Sequence, residues 1–279
     1  MSSPSPVAIV TDSTADLPAS RAEQYGIKVI PALITVDGKT YADDPQFARG
    51  ELYQHLRLVS EPATTAAPSP AAFERIYDRL LADGHEQVVS MHVSSSLSGI
   101  FGIATQAAQR FNQRVVTFDS RQVSLGLGFQ VVEAAAAAAL GESAEAILKA
   151  ASRLRDRVRL IAMVNSLDSL RRSGRVNWLA AHLGDWLRFK VLVEVVDGAI
   201  QQLARLRTRH RAFDELERRA VAWPRPLHLA VLHAAIPEEA AAFANRLTYV
   251  HPQPWVVEVT TVVGTHVGHG SVGLAALLP

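Results

Sequence analysis

Ser94, Ser95, Ser96 and Ser98 crowd around Leu97 and end at Gly99. An apolar run from Gln87 to Met91 precedes them and reads as a buried strand. Ile100, Ile103, Ala104 and Ala107 follow at helical spacing. In a strand–turn–helix of this kind, the unpaired amides of the first helical turn point back at the hydroxyls, and the helix dipole favours negative charge there. The chemistry on offer is anion binding, for a carboxylate or a phosphate. The same residues also read as an ordinary serine N-cap with solvated neighbours. Two more strand-end loops carry short polar side chains: Asp12-Ser13-Thr14 after Val7 to Val10, and Asp119-Ser120 after Val115 to Phe118.

Other chemistries find less support. Gly268, Gly270 and Gly273 spell G-x-G-x-x-G, but at the end of the sequence, without room for the βαβ unit a dinucleotide needs. These glycines are expected to let the backbone pass close to a ligand or a strand. His266 and His269 lie three apart with glycine between them, which argues against a shared helical face. No H-E-x-x-H is present, so no metal is expected. His266 reads instead as a hydrogen-bond donor to a bound anion. Ser94 and Ser95 lack the G-x-S-x-G frame of a nucleophile elbow. The absence of cysteine excludes thiol catalysis and disulfides.

These residues need a scaffold, and the periodicity supplies one. Strands are expected at Val7–Val10, Ile27–Val36, 87–91 and Val115–Phe118. Helices are expected at Pro18–Tyr25, Gln46–Val59, Ala71–Leu81, Gly128–Leu140 and Ser143–Arg155, with Glu61 to Pro70 as a polar loop. This alternation gives an α/β plan with a parallel sheet and ligands at its carboxyl edge. A second half begins near Arg159. It has strands at Leu160–Val164, Val191–Val196, Ala199–Leu206, Leu227–His233 and Trp255–Val263. Its helices are Leu167–Arg172, Trp178–Leu187, Phe213–Ala222 and Pro237–Leu247, and an apolar tail ends it. Asp197-Gly198 marks a hairpin. The expected architecture is two domains: residues 1–158, with a parallel sheet, and 159–279, with a mixed or largely antiparallel sheet.

Lys+Arg 28 against Asp+Glu 27 is nearly neutral, and hydrophobic residues make up 48%. A large core is therefore possible, and nucleic acid is not called for. Arginines at 205, 207, 209 and 211, spaced by two, suit one side of an extended segment, as a solvated edge or a docking surface. No apolar run is long enough to span a bilayer and no basic leader precedes the first strand, so a cytoplasmic protein without stable membrane insertion is expected.

Taken together, the chain resembles the DegV family of bacterial fatty-acid-binding proteins. The resemblance rests on Asp12 to Pro18, Thr65 to Pro70, Ser94 to Gly99, Asp119-Ser120, Leu170 to Val176, Asp197-Gly198 and His266 to Gly273, in the family's order. It departs from the family pattern at Ala66-Ala67, Ile100, Ser173 and His269. The resemblance implies one long-chain fatty acid, such as palmitate, in a buried tunnel between the domains. Thr65, Ser95 and His266, with Ser94 beside them, would hold the carboxylate, and Arg175 would stand on the rim as a partner contact. Asp12, Ser13, Thr14, Gly99, Asp119, Gly268 and Gly270 would form the supporting loops. It implies no catalytic residue and no cofactor, and a carrier that presents its ligand to a fatty acid kinase. A serine hydrolase or phosphoryl-transfer enzyme acting on small acyl substrates is the alternative. Physics is consistent with the first reading. A buried carboxylate needs several donors, and an acyl tail at about 0.8 kcal/mol per buried methylene gains on the order of 10 kcal/mol.

Overall fold

The computed structural model describes residues 5–44, 53, 63–165, 167–176 and 189–279. The expected helices Gln46–Val59, apart from Tyr53, and Trp178–Leu187 lie outside them.

The first half alternates as expected. β1 (Val7–Asp12) leads into α1 (Ala19–Gln24) and β2 (Lys28–Ile30). The run from Ile27 to Val36, expected as one strand, is two. Pro31, which has no N–H to give a ladder, separates β2 from β3 (Leu33–Val36), and the two join different sheets. β3 turns at Asp37-Gly38 into β4 (Lys39–Ala42) and also pairs with β5 (Thr64–Ala66). This small antiparallel sheet was not anticipated, and it corrects the reading of Glu61 to Pro70 as loop throughout: Thr65 is on a strand. α2 (Pro70–Ala82), β6 (Gln87–His92), α3 (Ile100–Ala108), β7 (Val115–Asp119), α4 (Leu125–Ala139) and α5 (Ala144–Leu154) follow. β2, β1, β6 and β7 form a four-stranded parallel sheet in that order.

In the second half, β8 (Val158–Val164), α6 (Leu167–Arg172), β9 (Lys190–Val196) and β10 (Ala199–Leu206) precede α7 (Arg209–Ala222), β11 (His228–His233) and α8 (Pro237–Arg246). β12 (Trp255–Glu258) stops five residues short of the expected Val263. The β-branched residues that follow form a short helix, α9 (Thr261–Val267), instead. The apolar tail is a strand, β13 (Val272–Leu277), inside a six-stranded sheet ordered β10-β9-β8-β13-β11-β12. Only β11–β12 is parallel in that sheet, so the mixed, largely antiparallel expectation holds. The arginines from 205 to 211 do not share an extended segment, because the chain turns from β10 into α7 between Leu206 and Arg209. Arg209 pairs with Glu239 at 2.8 Å.

Strand alternation decides the packing. Ile161, Met163, Leu192, Val231 and Leu274 face Phe213, Leu216 and Phe243 of α7 and α8. The opposite face, with Leu160, Val195, Leu232 and Ala275, turns toward the first half and receives Leu125 and Phe129 of α4. The next residues around α4, Leu127 and Val131, pack into the core of the parallel sheet. One helix therefore serves both sheets, and its long alanine run suits a helix buried on two sides.

Gly273 shows how close the central strands lie. A Cβ there would stand 2.9 Å from the Ile161 carbonyl oxygen and 3.0 Å from Ala162 Cβ. Gly273→Ala should destabilise the fold by about 1–3 kcal/mol, whereas Gly102→Ala at an exposed position of α3, where nothing lies within 4 Å, should gain about 0.5–1 kcal/mol. Thermal unfolding of both variants measures the contrast, and equal midpoints would refute the packing described here.

Candidate functional site

In the parallel sheet the chain moves from β1 to β2 on one side and then to β6 on the other. The loops that leave β1 and β6 therefore diverge and open a crevice at their carboxyl ends. Asp12 closes β1 and is fully buried. Its Oδ1 accepts from the Thr14 amide (3.1 Å) and hydroxyl (2.5 Å), and its Oδ2 from His92 Nδ1 (2.9 Å) and the Val93 amide (3.2 Å). The Tyr77 hydroxyl donates to Ser90 Oγ (2.8 Å), which commits the Ser90 proton to His92 Nε2 (2.7 Å) and the imidazole proton to Asp12. Burial pushes the Tyr77 hydroxyl well above its ordinary pKa. Asp12, His92 and Ser90 follow the order of a hydrolase triad, but all three are sealed in the core. What the network does is fix Thr14 and Val93, which face the crevice.

The serine turn divides its hydroxyls between tasks. Ser94 is buried, and its hydroxyl crosses to the Gly198 carbonyl of the β9–β10 hairpin at 2.8 Å. The Ser95 amide (3.3 Å) and hydroxyl (2.6 Å) both donate to Asp119 Oδ2, while the Arg121 amide donates to Oδ1 (2.9 Å). The carboxylate that these donors hold belongs to the chain itself. Ser98 Oγ accepts from the Ile100 amide at 3.3 Å, which leaves the Ser98 proton for the crevice.

A cavity of about 170 Å³ lies beneath this turn. Thr65, His266, Arg175 and Ser98 make its polar end, with Thr14 and Gly99 also in the wall. Thr65 Oγ1 and His266 Nε2 are 2.9 Å apart, across 201 residues of sequence. His266 lies on the last turn of α9, half-buried, with its ring on the cavity wall. Burial, with the neighbouring Arg175 cation as a smaller cause, brings its pKa down from 6.5 to about 4. The imidazole is therefore neutral at physiological pH and carries one N–H. Arg175, in the turn after α6, is exposed. Its Nε donates to the Leu97 carbonyl at 3.2 Å, and its Nη1 donates to the Ser173 carbonyl.

A second cavity of about 80 Å³ adjoins the first and is walled by Leu160, Val193, Val195 and Leu232 on the inner face of the six-stranded sheet. Both cavities share Val123, Ile200, Val263 and Val267. The space is thus polar at one end and apolar at the other.

Of the residues expected at a carboxylate site, Thr65 and His266 meet, with Arg175, Gly99 and Thr14 around them. Ser94 and Ser95 lie outside the cavity wall, and Ser13 sits behind it, donating to Asp43 at 2.8 Å. Gly268 ends α9 with φ of 83°, which separates His266 on the helix from His269 beyond it. The Gly270 amide donates to the Ala234 carbonyl. Ser98 and Asp43 were missed as site residues. Ser98 belongs to the quoted turn, and its place two residues before Ile100 was the available signal. Asp43 carries none. Among the described residues no cluster of three or more His, Asp or Glu could hold a metal, and no helix is long and apolar enough to cross a membrane.

A family model for uncharacterised proteins of the DegV family matches residues 6–278. A DegV domain-containing protein of Mycobacterium tuberculosis is 36% identical over 275 residues, covering 96% of each chain. Another, from Streptomyces coelicolor, is 34% identical over 273 residues, covering 96% of this chain and 97% of its own. Among solved structures, a fatty-acid-binding DegV family protein from Thermus thermophilus superposes with a TM-score of 0.91 at 30% identity, covering 98% of this chain and 99% of that one. DegV from Bacillus subtilis, described as a fatty acid binding protein, gives 0.87 at 29%, with coverage of 98% and 99%.

His266 yields a test that needs no ligand. Unfolded, it takes up a proton near pH 6.5; folded, near pH 4. Between those values the unfolded chain binds more protons, so His266 lowers stability as pH falls through this window and has no such effect above it. His266→Gln should flatten that limb of the stability profile relative to wild type. Arg175→Ala should raise the ring's NMR midpoint by part of the shift only, since burial is the larger cause. A wild-type midpoint near 6.5 would contradict the buried placement.

Proposed function

The chain belongs to the DegV family, and from that premise we propose that it binds a long-chain fatty acid, with the carboxylate at the Thr65–His266 end of the cavity and the tail in the apolar chamber. The observation that carries this reading is the Thr65–His266 contact at the polar end of a space that is otherwise hydrocarbon. A neutral imidazole that donates Nε2–H to Thr65 Oγ1 turns the threonine's own proton into the cavity, where an anionic oxygen is its natural acceptor. The Ser98 hydroxyl adds a donor at the same end. Ser95 joins them by exchanging Asp119 for the ligand. The two related structures described as fatty acid binding support the ligand class.

In this reading no side chain is catalytic and no cofactor is needed: the protein is a cytoplasmic carrier that presents the carboxylate to a fatty acid kinase. Arg175, exposed at the mouth and reaching across to the serine turn, is the rim contact for that partner. A bound carboxylate raises the imidazole's pKa from its ligand-free value of about 4. Affinity should then rise only as pH falls through the bound-state value, and stay level above it.

The test is extraction of the purified protein with organic solvent and mass spectrometry of the lipid, followed by titration of the delipidated protein with palmitate. Thr65→Ala should weaken binding by about 1.5–3 kcal/mol, as for a lost bond to a charged group. Ser95→Ala should weaken it less, because that hydroxyl must first give up Asp119. Absence of lipid in the extract together with no binding of added palmitate would end this proposal. Arg175→Ala should retain lipid but slow acyl-phosphate formation by the cognate kinase; loss of the lipid itself would move Arg175 into the carboxylate site.

A further inference from the structure

Thr65 and His266 belong to elements that share no local sequence, so something must set their 2.9 Å separation. Thr65 is carried by β5, which pairs with β3 at Ile34, and β3 pairs with β4 up to Ala42. The next residue is Asp43, only 2% exposed and absent from the cavity wall. Its Oδ1 accepts the hydroxyl of Thr261 at 2.9 Å, and its Oδ2 accepts the hydroxyl of Ser13 at 2.8 Å. Thr261 is the first residue of α9, the helix that ends with His266 on its last turn. Ser13 in turn accepts the Ala32 amide at 3.1 Å, and Asp43 donates its own amide to the Ala32 carbonyl at 2.8 Å. One buried carboxylate thus ties the small sheet bearing Thr65 to the helix bearing His266, and both to the loop after β1. A carboxylate held away from water keeps its donors at contact distance, because losing one leaves charge uncompensated.

We infer that Asp43 is a positioning residue for the carboxylate site, setting the spacing between Thr65 and His266 without touching the ligand. The inference rests on the function proposed above, but part of its test does not. Asp43→Asn keeps the shape but removes the charge and replaces one acceptor by an amide donor, so one of the two hydroxyls must reverse its hydrogen bond or lose it. Thr261→Val removes the helix-side contact alone at nearly constant volume. The ring of His266 is titrated by NMR in the delipidated protein, where Arg175 is the charged neighbour that acts on it and is unchanged in every variant. Palmitate affinity and thermal midpoint are measured alongside. Both variants should raise the His266 midpoint toward the ordinary histidine value and weaken palmitate binding about tenfold. A merely structural residue would lower the thermal midpoint and leave the ring titration where it is. Should Asp43→Asn fail to fold, Thr261→Val decides alone. An unmoved His266 midpoint, or an unchanged palmitate affinity, in a folded variant overturns the inference. If wild type itself binds no palmitate, the proposed function fails, while the ring titration still decides what Asp43 does.

Discussion

A carboxylate can be held away from water only by donors that are already in place. The polar end of the cavity answers that requirement with a contact made from opposite ends of the chain. Thr65 comes from a three-residue strand and His266 from a seven-residue helix, and neither element could stand by itself. Each is placed by the larger bodies around it. The small sheet carries Thr65, and α9 is held at its start by the Thr260 amide on Asp16 (2.7 Å) and by Thr261 on Asp43. The polar end exists because the two halves pack together, and the apolar chamber exists because the six-stranded sheet turns its bare inner face toward α4.

Buried polar chemistry in this molecule is concentrated where the loops leave the strands. Asp12, Asp16 and Asp43 are all nearly inaccessible, and each receives hydrogen bonds from groups distant in sequence. Hydroxyls and amides supply most of these bonds. Among the described residues no lysine or arginine is paired with Asp12 or Asp43. Among the described residues of the cavity wall the arginine is Arg175, anchored to the backbone carbonyls of Leu97 and Ser173.

Most of the architecture could be read from periodicity. The alternation up to Leu154 and the hairpin at Asp197-Gly198 are local signals, and so are the serine turn and the helix after it. The misread segments are those that long-range contacts decide. The run from Trp255 to Val263 is β-branched and looks like one strand. Yet Thr260 and Thr261 find acceptors on Asp16 and Asp43, and the chain coils into α9, overriding propensity. Thr65 looked like loop because β5 is short and its partner, β3, was hidden inside a run broken by Pro31. The types of the candidate site residues were legible, since threonine, serine and histidine declare their donors. Their geometry was not: the Ser95–Asp119 bond joins residues 24 apart, and Asp43, next to Asp44 after β4, gave no sign of its reach.

The bond between Ser95 and Asp119 has a consequence for selectivity. With Asp119 in the grasp of the turn, the Ser95 amide and hydroxyl already hold a carboxylate before any ligand arrives. Any incoming anion competes with a carboxylate that is tethered to the same molecule and therefore present at high effective concentration. Acetate and other short acids bring nothing more than Asp119 already offers, and they lose the competition on entropy. A long-chain acid brings a tail whose transfer out of water outweighs the tether. Under the proposed function, the turn would filter its guests by hydrocarbon length while touching only their head.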